Sequence, residues 1–528
     1  MTDIVYAKPL RGWRFWLFNL CLGVGHAVVI FNAGAYIAML PRVAGGLRIP
    51  PSFATWTQTD YMIGLALAYP VGGYLARRFG EYRPFVAAFI AFALASWACA
   101  SLTALYPYLA GRIVLGFSGG LTLPLGQALL IKEYPKQRKS IGIGVWSVFT
   151  LTPFTFGPPL GGWIGDYLGW RWLFWFNIPL ALIIAGCVGA LLYHRGHRSI
   201  RHRFDFIGFA LIGSVLFGFQ TLLNQGNDRD WSNSTYIVGL LMLSLMSLVA
   251  WIIWELSLRR PFLDVRLFGR RNFAIGALSL FIGFLCFQGL LSMLIVQLQL
   301  TLGYSSWLAG LVFLPTAILA KPMAGVFHEI VKRFDARLLA SVNSLGFAAT
   351  YFWFSRFDDP DTFDQLFWPK LVEGACLGSF FVPLTALLLN GLPPERQWRA
   401  LELANLLRIA AGAVGIATQG IVLYRRTPLH LTHFAETHDA FVLIDHPIIG
   451  ALNNAGLSEP ASLAKLSQLA NRDAVIHAIN DGYWLAGCIF VGLSILAWFA
   501  HPTHVPVKTN AAGSLRRKTQ ETSVEEAV

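Results

Sequence analysis

"GYLARRFGEYRP" (Gly73–Pro84) joins two apolar runs, "YMIGLALAYPVGGYLA" ending at Ala76 and "FVAAFIAFALASWACASL" opening at Phe85. The gap holds Arg77, Arg78, Arg83, Glu81 and Gly80. Each flanking run has the roughly 20-residue length of a helix that crosses a bilayer, whereas a barrel strand would be half as long and alternate in polarity. The stretch reads as a tight turn between two membrane helices. Gly80 permits the sharp reversal, and the arginines stay at the membrane surface.

Outward from this turn the same pattern repeats. The 528 residues are 55% hydrophobic and 13% charged, with a mean hydropathy of +0.55. A soluble domain carries about 25% charged residues. Fourteen apolar runs follow one another from near 15–39 to near 482–500, which leaves no room for a separate soluble domain of about 100 residues. The first run follows only Lys8, Arg11 and Arg14 and shows no small-residue cleavage site, so it reads as a retained span. The net charge of +13 does not point to nucleic acid, because membrane proteins collect Lys and Arg in their cytoplasmic loops. If the N-terminus is cytoplasmic, the inner segments hold 28 of the 41 Lys and Arg and the outer ones 10, Lys370 among them. An even number of spans with this bias puts both termini inside.

A second copy of the turn appears in "GVFHEIVKRFDARLL" (325–339), with "KRFDAR" echoing "RRFGEYR". If the two turns are equivalent, each half has six spans and the runs near 206–224 and 235–256 are an inserted pair. Such repeats around a central site are a common transporter plan. The expected organisation is a six-helix half over 1–204, an inserted pair over 205–266, a second six-helix half over 267–502 containing an outer loop at 425–481, and a disordered cytoplasmic tail over 503–528.

These motifs resemble the major facilitator superfamily, and within it the fourteen-span drug:proton antiporters of the EmrB/QacA type, closest to the EmrB-like branch. "GYLARRFG", with Gly73, Arg77, Arg78 and Gly80, is similar to the family's loop motif, with Arg77 where most members have Asp. "RIVLGFSGGLTLPLGQALL" (112–130) resembles the fourth-span motif. "GIGVWSVFTLTPFTFGPPLGGWIGD" (142–166), with Gly144, Pro153, Gly157, Pro158, Gly161 and Gly162, resembles the fifth-span antiporter motif, which accompanies export in the family. "WRWLFWFNIPLA" (170–181), "LFGRRNFAIG" (267–276) and "FFVPLTALLLNGLPPERQ" (380–397) extend the likeness over nearly the whole chain. The resemblance implies an all-α membrane protein with the major facilitator fold and fourteen transmembrane helices. It also implies a bacterial inner-membrane exporter of hydrophobic small molecules driven by protons, and partners of two kinds: a periplasmic adaptor like EmrA and an outer-membrane channel like TolC. One departure stands out. Where the family's first span carries an acid, this chain has Asn32, in "FNAGAYIAMLP".

Ionisable groups inside spans are costly and mark candidate function. Arg112 can hold a nearby carboxylate ionised, or serve as a hydrogen-bond hub to backbone carbonyls. Asp60, in "WTQTDY", is a proton acceptor or a solvated cap. Glu373 is a candidate proton carrier. Glu402 and Arg408 on one span are about 240° apart around the helix and cannot pair directly. His26 either titrates or packs. Lys321 either snorkels or forms a cationic cavity wall. Asn32, Trp146, Phe149, Phe154 and Lys321 are the candidate cavity residues. The small residues and prolines of 142–162 permit a close helix seam and a bend. In the loop, Leu463, Leu466, Leu469, Ile476 and Ile479 form an apolar stripe expected on a surface helix that either packs on the transporter or receives a partner. His430, His433 and His438 read as solvated, and the six cysteines as buried and unpaired, so no metal is expected. No P-loop, HExxH, GxSxG or GxGxxG pattern occurs. The chain therefore reads as a cofactor-free transporter and not an enzyme. A metabolite facilitator or symporter of the same fold, and a membrane sensor or scaffold, are the alternatives.

Overall fold

The computed structural model describes residues 10–134, 139–193, 204–259, 261–357, 363–437, 454 and 458–503. Among them the regular structure is helical throughout. The first half comprises α1 (Trp13–Leu47), α2 (Pro51–Phe79), α3 (Tyr82–Ser101), α4 (Leu105–Glu133), α5 (Lys139–Tyr167) and α6 (Trp172–Leu192). Two helices follow, α7 (Phe206–Gln225) and α8 (Thr235–Ser257). Then come α9 (Arg271–Leu300), α10 (Ser306–Leu311), α11 (Leu314–Ile330), α12 (Ala336–Phe354), α13 (Phe363–Leu389), α14 (Pro394–Thr437) and α15 (Glu459–Trp498). The short α10 and α11 together make one span, so the described residues form fourteen.

Local chemistry sets the helix ends. Gly80 ends α2 with φ +83°, a conformation that favours glycine, and so allows the reversal into α3. Asp335 does the corresponding job at the second turn by another route. Its carboxylate caps α12, accepting from the Arg337 N–H at 3.0 Å. Asp205 caps α7 in the same way, accepting from the Gly208 N–H at 2.9 Å.

Eleven spans are long and apolar enough to cross a membrane on composition alone. α2, α5 and α12 are not among them. α2 and α12 carry Thr57, Gln58, Thr59 and Asp60, and Ser341, Asn343 and Ser344, all buried in the bundle and away from lipid. The outward surface is an apolar belt including Leu182, Ile183, Met246, Ile253 and Ile495. Exposed aromatics sit at both rims: Trp13 and Trp16 at the α2–α3 face, Trp97 and Tyr106 at the α1–α2 face.

Glycine rails pair the helices alike in both halves. Gly116 and Gly120 of α4 lie against the backbone of α2 at Tyr61 and Leu65. Gly374 and Gly378 of α13 lie against the backbone of α11 at Thr316 and Ala320. The missing side chains let the helices approach closely. α7 touches both halves: Asn224 Nδ2 donates to Thr59 Oγ1 of α2 at 2.9 Å, and Gln220 Nε2 to the Ala413 carbonyl of α14 at 3.2 Å.

The expected loop at 425–481 is corrected. α14 continues to Thr437 and α15 starts at Glu459, so much of the segment extends two membrane helices. The apolar stripe is covered by the chain itself at Leu466, Ile476 and Ile479, while Leu469 is half-buried and Leu463 is exposed. Arg426 Nε and His430 Nε2 both reach Asp481 Oδ2 at 2.7 Å, tying the two extensions together. His430 thus shares the Asp481 carboxylate with Arg426 and is not simply solvated. His438 and the tail 504–528 lie outside the described residues.

Candidate functional site

Between the halves lies a cavity of about 340 Å³. His26, Ile30 and Ala33 come from α1, Met62, Leu65 and Tyr69 from α2, and Leu123 from α4. The other half supplies Phe284 and Gln288 from α9, Ala324 from α11, Phe381 from α13 and Arg408 from α14. The wall is mainly apolar with a few polar groups, as small-molecule sites are.

The passage is shut at the α1–α2 face. Asp166, at the end of α5, accepts from the Trp307 N–H at 2.8 Å and the Ser306 N–H at 3.3 Å across the divide. Arg42 joins the same carboxylate at 2.6 Å and donates from Nε to Ser306 Oγ at 3.1 Å. Ser306 Oγ donates to Gln299 Oε1 at 2.9 Å, and Gln299 Nε2 donates to the Ala38 carbonyl at 3.0 Å. Gly162 lies on the Ser306 backbone and Gly310 on that of Pro158, while Gly157 and Gly161 lie on α1 at Gly34 and Ala35. The antiporter-like stretch is therefore a close seam between halves. At the α2–α3 face, Pro322, Gly325, Val326, His328 and Glu329 of α11 are exposed. Contact between the halves persists there, where Glu402 of α14 is buried against Gly73 and accepts from Trp398 Nε1 at 2.8 Å.

Two buried cations occupy equivalent places beside the glycine rails. Arg112 stands four residues before Gly116, and Lys370 four before Gly374. Arg112 is fully buried; Nε donates to the Thr57 carbonyl at 2.9 Å and Nη2 to Gln58 Oε1 at 2.8 Å. Its guanidinium lies 3.8 Å from the centre of the Tyr36 ring and 4.5 Å from that of Tyr61. It thus makes hydrogen bonds to a carbonyl and an amide. Asp60, also buried, is within its electrostatic reach and beside Trp56.

Lys370 corrects the placement of that residue in an outer segment. It is fully buried in α13, and Nζ meets Glu373 Oε2 at 2.5 Å, one helical turn away. The rings of Phe313 and Phe354 lie 4.2 Å and 4.9 Å from Nζ. Glu373 Oε1, Tyr351 OH and Tyr483 OH are buried without hydrogen-bond partners. The paired lysine allows this carboxylate to be buried at all. The spacing of three residues in an apolar run is the signal that could have found Lys370.

The cavity candidates fare differently. Asn32 does not line the cavity. It exchanges hydrogen bonds of 2.9 and 3.0 Å with Asn177 of α6, because a buried amide needs a partner with both a donor and an acceptor. Phe149 packs on Gly23 of α1, and Lys321 is half-buried on α11 outside the cavity wall. The side chains of Trp146 and Phe154, and the surroundings of Gly144, lie outside what the structure describes. His26 and Arg408 do line the cavity. The sequence does not mark Tyr69, Phe284, Gln288 and Phe381, since nothing local distinguishes a cavity side chain from a packed one.

Comparison with known proteins gives a family profile described as the Major Facilitator Superfamily, matching residues 22–416. The chain is 31% identical to the multidrug export protein EmrB of Haemophilus influenzae, over 94% of this chain and 97% of that protein. It is equally 31% identical, with the same coverage, to the fatty acid resistance protein FarB of Neisseria gonorrhoeae. In three dimensions it resembles a sulfate-bound peptide transporter of the POT family, with a TM-score of 0.60 at 15% identity over 95% of this chain and 100% of that one. It also resembles the inward-open xylose transporter XylE of E. coli, with a TM-score of 0.54 at 15% identity over 94% and 98%.

Proposed function

The chain belongs to the Major Facilitator Superfamily, in its EmrB-like branch, and on that basis we propose that it is a proton-driven exporter of hydrophobic small molecules in a bacterial inner membrane. Both termini are cytoplasmic, so the α1–α2 face is periplasmic. Residues 1–204 and 267–502 are the halves that rock, and 205–266 is an inserted pair. The observation that carries this is the cavity between like-built halves, sealed on one face by the α5–α10 seam.

Coupling is assigned to Glu373 with Lys370. A proton arriving on the carboxylate removes the counter-charge of Lys370 beside Gly374 and Gly378, where α13 lies directly on α11. Changing the pair therefore changes the seam that must move when the halves rock. Asp60 beside Arg112 is the corresponding candidate in the first half. Glu402 links the Gly73 turn to α14 and fits a gate role on the cytoplasmic face. The extensions of α14 and α15 are the surface offered to an adaptor of the EmrA kind, leading to a channel of the TolC kind.

Inside-out vesicles with an acid lumen test the reading. Wild type should concentrate a hydrophobic substrate and release protons outward. Glu373→Gln, whose amide oxygen still accepts from Lys370, should keep downhill exchange and lose gradient-driven accumulation. Movement indifferent to the gradient in wild type would leave a facilitator in place of an antiporter.

A further inference from the structure

Two of the six cysteines meet in the first half. Cys21 lies on α1 and Cys187 on α6, and their thiols are hydrogen-bonded to each other. The register of the two helices puts them there. α1 and α6 run antiparallel, and Asn32 meets Asn177 in hydrogen bonds of 2.9 and 3.0 Å. Seven residues back along α1 and seven forward along α6, Gly25 faces Ile184, whose Cγ2 is 3.5 Å from where a Cβ on Gly25 would sit. One further turn on each helix brings Cys21 to Cys187. Both are free thiols. Cys21 is buried and Cys187 half-buried, while Leu20 beside the one and Ile183 a turn from the other are exposed on the lipid-facing surface. Cys21 is eight residues past Trp13, about 12 Å of helix, so the pair lies within the hydrocarbon layer. Among the described residues no other two cysteines are hydrogen-bonded to each other; Cys99 faces Gly111 and Cys376 faces Gly346.

Two thiols in contact have a chemistry that one lacks. A trivalent arsenic centre is soft and exchanges oxygen ligands for sulfur. With two sulfurs side by side, the second bond is intramolecular once the first is made, so the arsenic is held as a chelate. For an aryl arsenous oxide, two arsenic–sulfur bonds form, the arsenic–oxygen bond breaks, and both thiol protons leave with the oxygen as water. Arsenic stays trivalent, so neither an oxidant nor a reductant takes part. Each proton passes from sulfur to the departing oxygen, and no thiolate is stranded where nothing solvates it. The seat of the pair also selects the reagent. A neutral aryl arsenical partitions from water to the hydrocarbon layer, whereas a charged one stays outside it.

We propose that Cys21 and Cys187 form a covalent binding site for lipophilic trivalent arsenicals, set in the membrane-facing side of the first half. The site is independent of the export reading and is tested without transport. Full-length reduced protein in nanodiscs is treated with one equivalent of phenylarsine oxide. An intact-mass spectrum should show one phenylarsenic group, less two hydrogens, added to each chain, and digestion should yield the Cys21 and Cys187 peptides joined through arsenic. Under excess 2-mercaptoethanol the wild-type adduct should last on the order of a hundred-fold longer than that of Cys21→Ser or Cys187→Ser, because each variant keeps one sulfur and loses the chelate. Cys99→Ser should behave as wild type, and the dithiol 2,3-dimercaptopropanol should strip the arsenic from both. A phenylarsine oxide bearing a 4-carboxylate should react with wild type at least about ten-fold more slowly. An adduct that is as long-lived in either of the two serine variants as in wild type would overturn the proposal. So would peptides joined through any other cysteines, or a wild-type chain that takes up no arsenic. Equal rates for the neutral and the carboxylated reagent would set the pair in water and overturn its selectivity for lipophilic arsenicals. Should a serine variant fail to fold, the alanine variant at the same position and the wild-type peptide map decide.

Discussion

Lys370 and Glu373 are held in place by each other more than by their surroundings. Removing one partner of a buried pair strands the other charge and costs about 3–5 kcal/mol, while replacing both by apolar side chains is often neutral. Lys370→Met should therefore lower the melting temperature sharply, and Lys370→Met with Glu373→Met should recover most of the loss. A double variant as unstable as the single one would mean that the pair acts through something other than its charge. The legibility of these residues follows the same physics. Arg112, Arg408, His26 and Glu373 stood out because charges in apolar runs are expensive. Lys370 escaped because it lies near a run's edge, where a lysine can also reach the surface. Asn32 stood out only by contrast with a motif, and its pairing with Asn177 joins helices far apart in the chain.

Whole helices carry the next set of consequences. Gly162 has no room for a side chain against Ser306, so Gly162→Val should wedge α5 from α10 and open the α1–α2 face. Ala309 is fully buried in α10. In a cysteine-free background, labelling of Ala309→Cys by a water-soluble maleimide should rise several-fold when Gly162→Val is added. Unchanged labelling would show that the seam can absorb the side chain. At the turn between α11 and α12, burial pushes the Asp335 carboxyl up, but hydrogen bonds from Arg337 and Thr503 outweigh it and hold the group below its ordinary value. The stabilisation it brings is present above that ordinary value and is lost as pH falls through the lower, folded one. Asp335→Ala should cost about 1–2 kcal/mol at neutral pH, with the gap to wild type closing below about pH 4. Span number and the turn at Gly80 were legible because length and apolar runs decide them. The reach of α14 was not. Its 44 residues amount to about 66 Å of helix against a hydrocarbon core of about 30 Å, and the polar part past Tyr424 reads as a loop until Asp481 is seen gripping Arg426 and His430.

The molecule as a whole is two like-built bundles with α7 hydrogen-bonded to each. If α7 is a strap between them, Gln220→Leu with Asn224→Leu should speed amide exchange along α7 while leaving α3 and α12 protected. Uniform exchange after both changes would make α7 a passenger. The repeat was visible in the two basic turns, but the equivalence of Arg112 and Lys370 was not, because it depends on which glycines face which backbone.

The Arg408 guanidinium in the cavity wall would also make the empty transporter respond to voltage as the proposed halves rock. Carrying one positive charge across a bilayer is worth about 2.3 kcal/mol per 100 mV, and a rocking cavity moves its charge through part of that field. With the cell interior negative, the field would pull such a positive cavity toward the cytoplasm. Membrane potential would then act on the return stroke and rest the carrier facing the cytoplasm, ready to load.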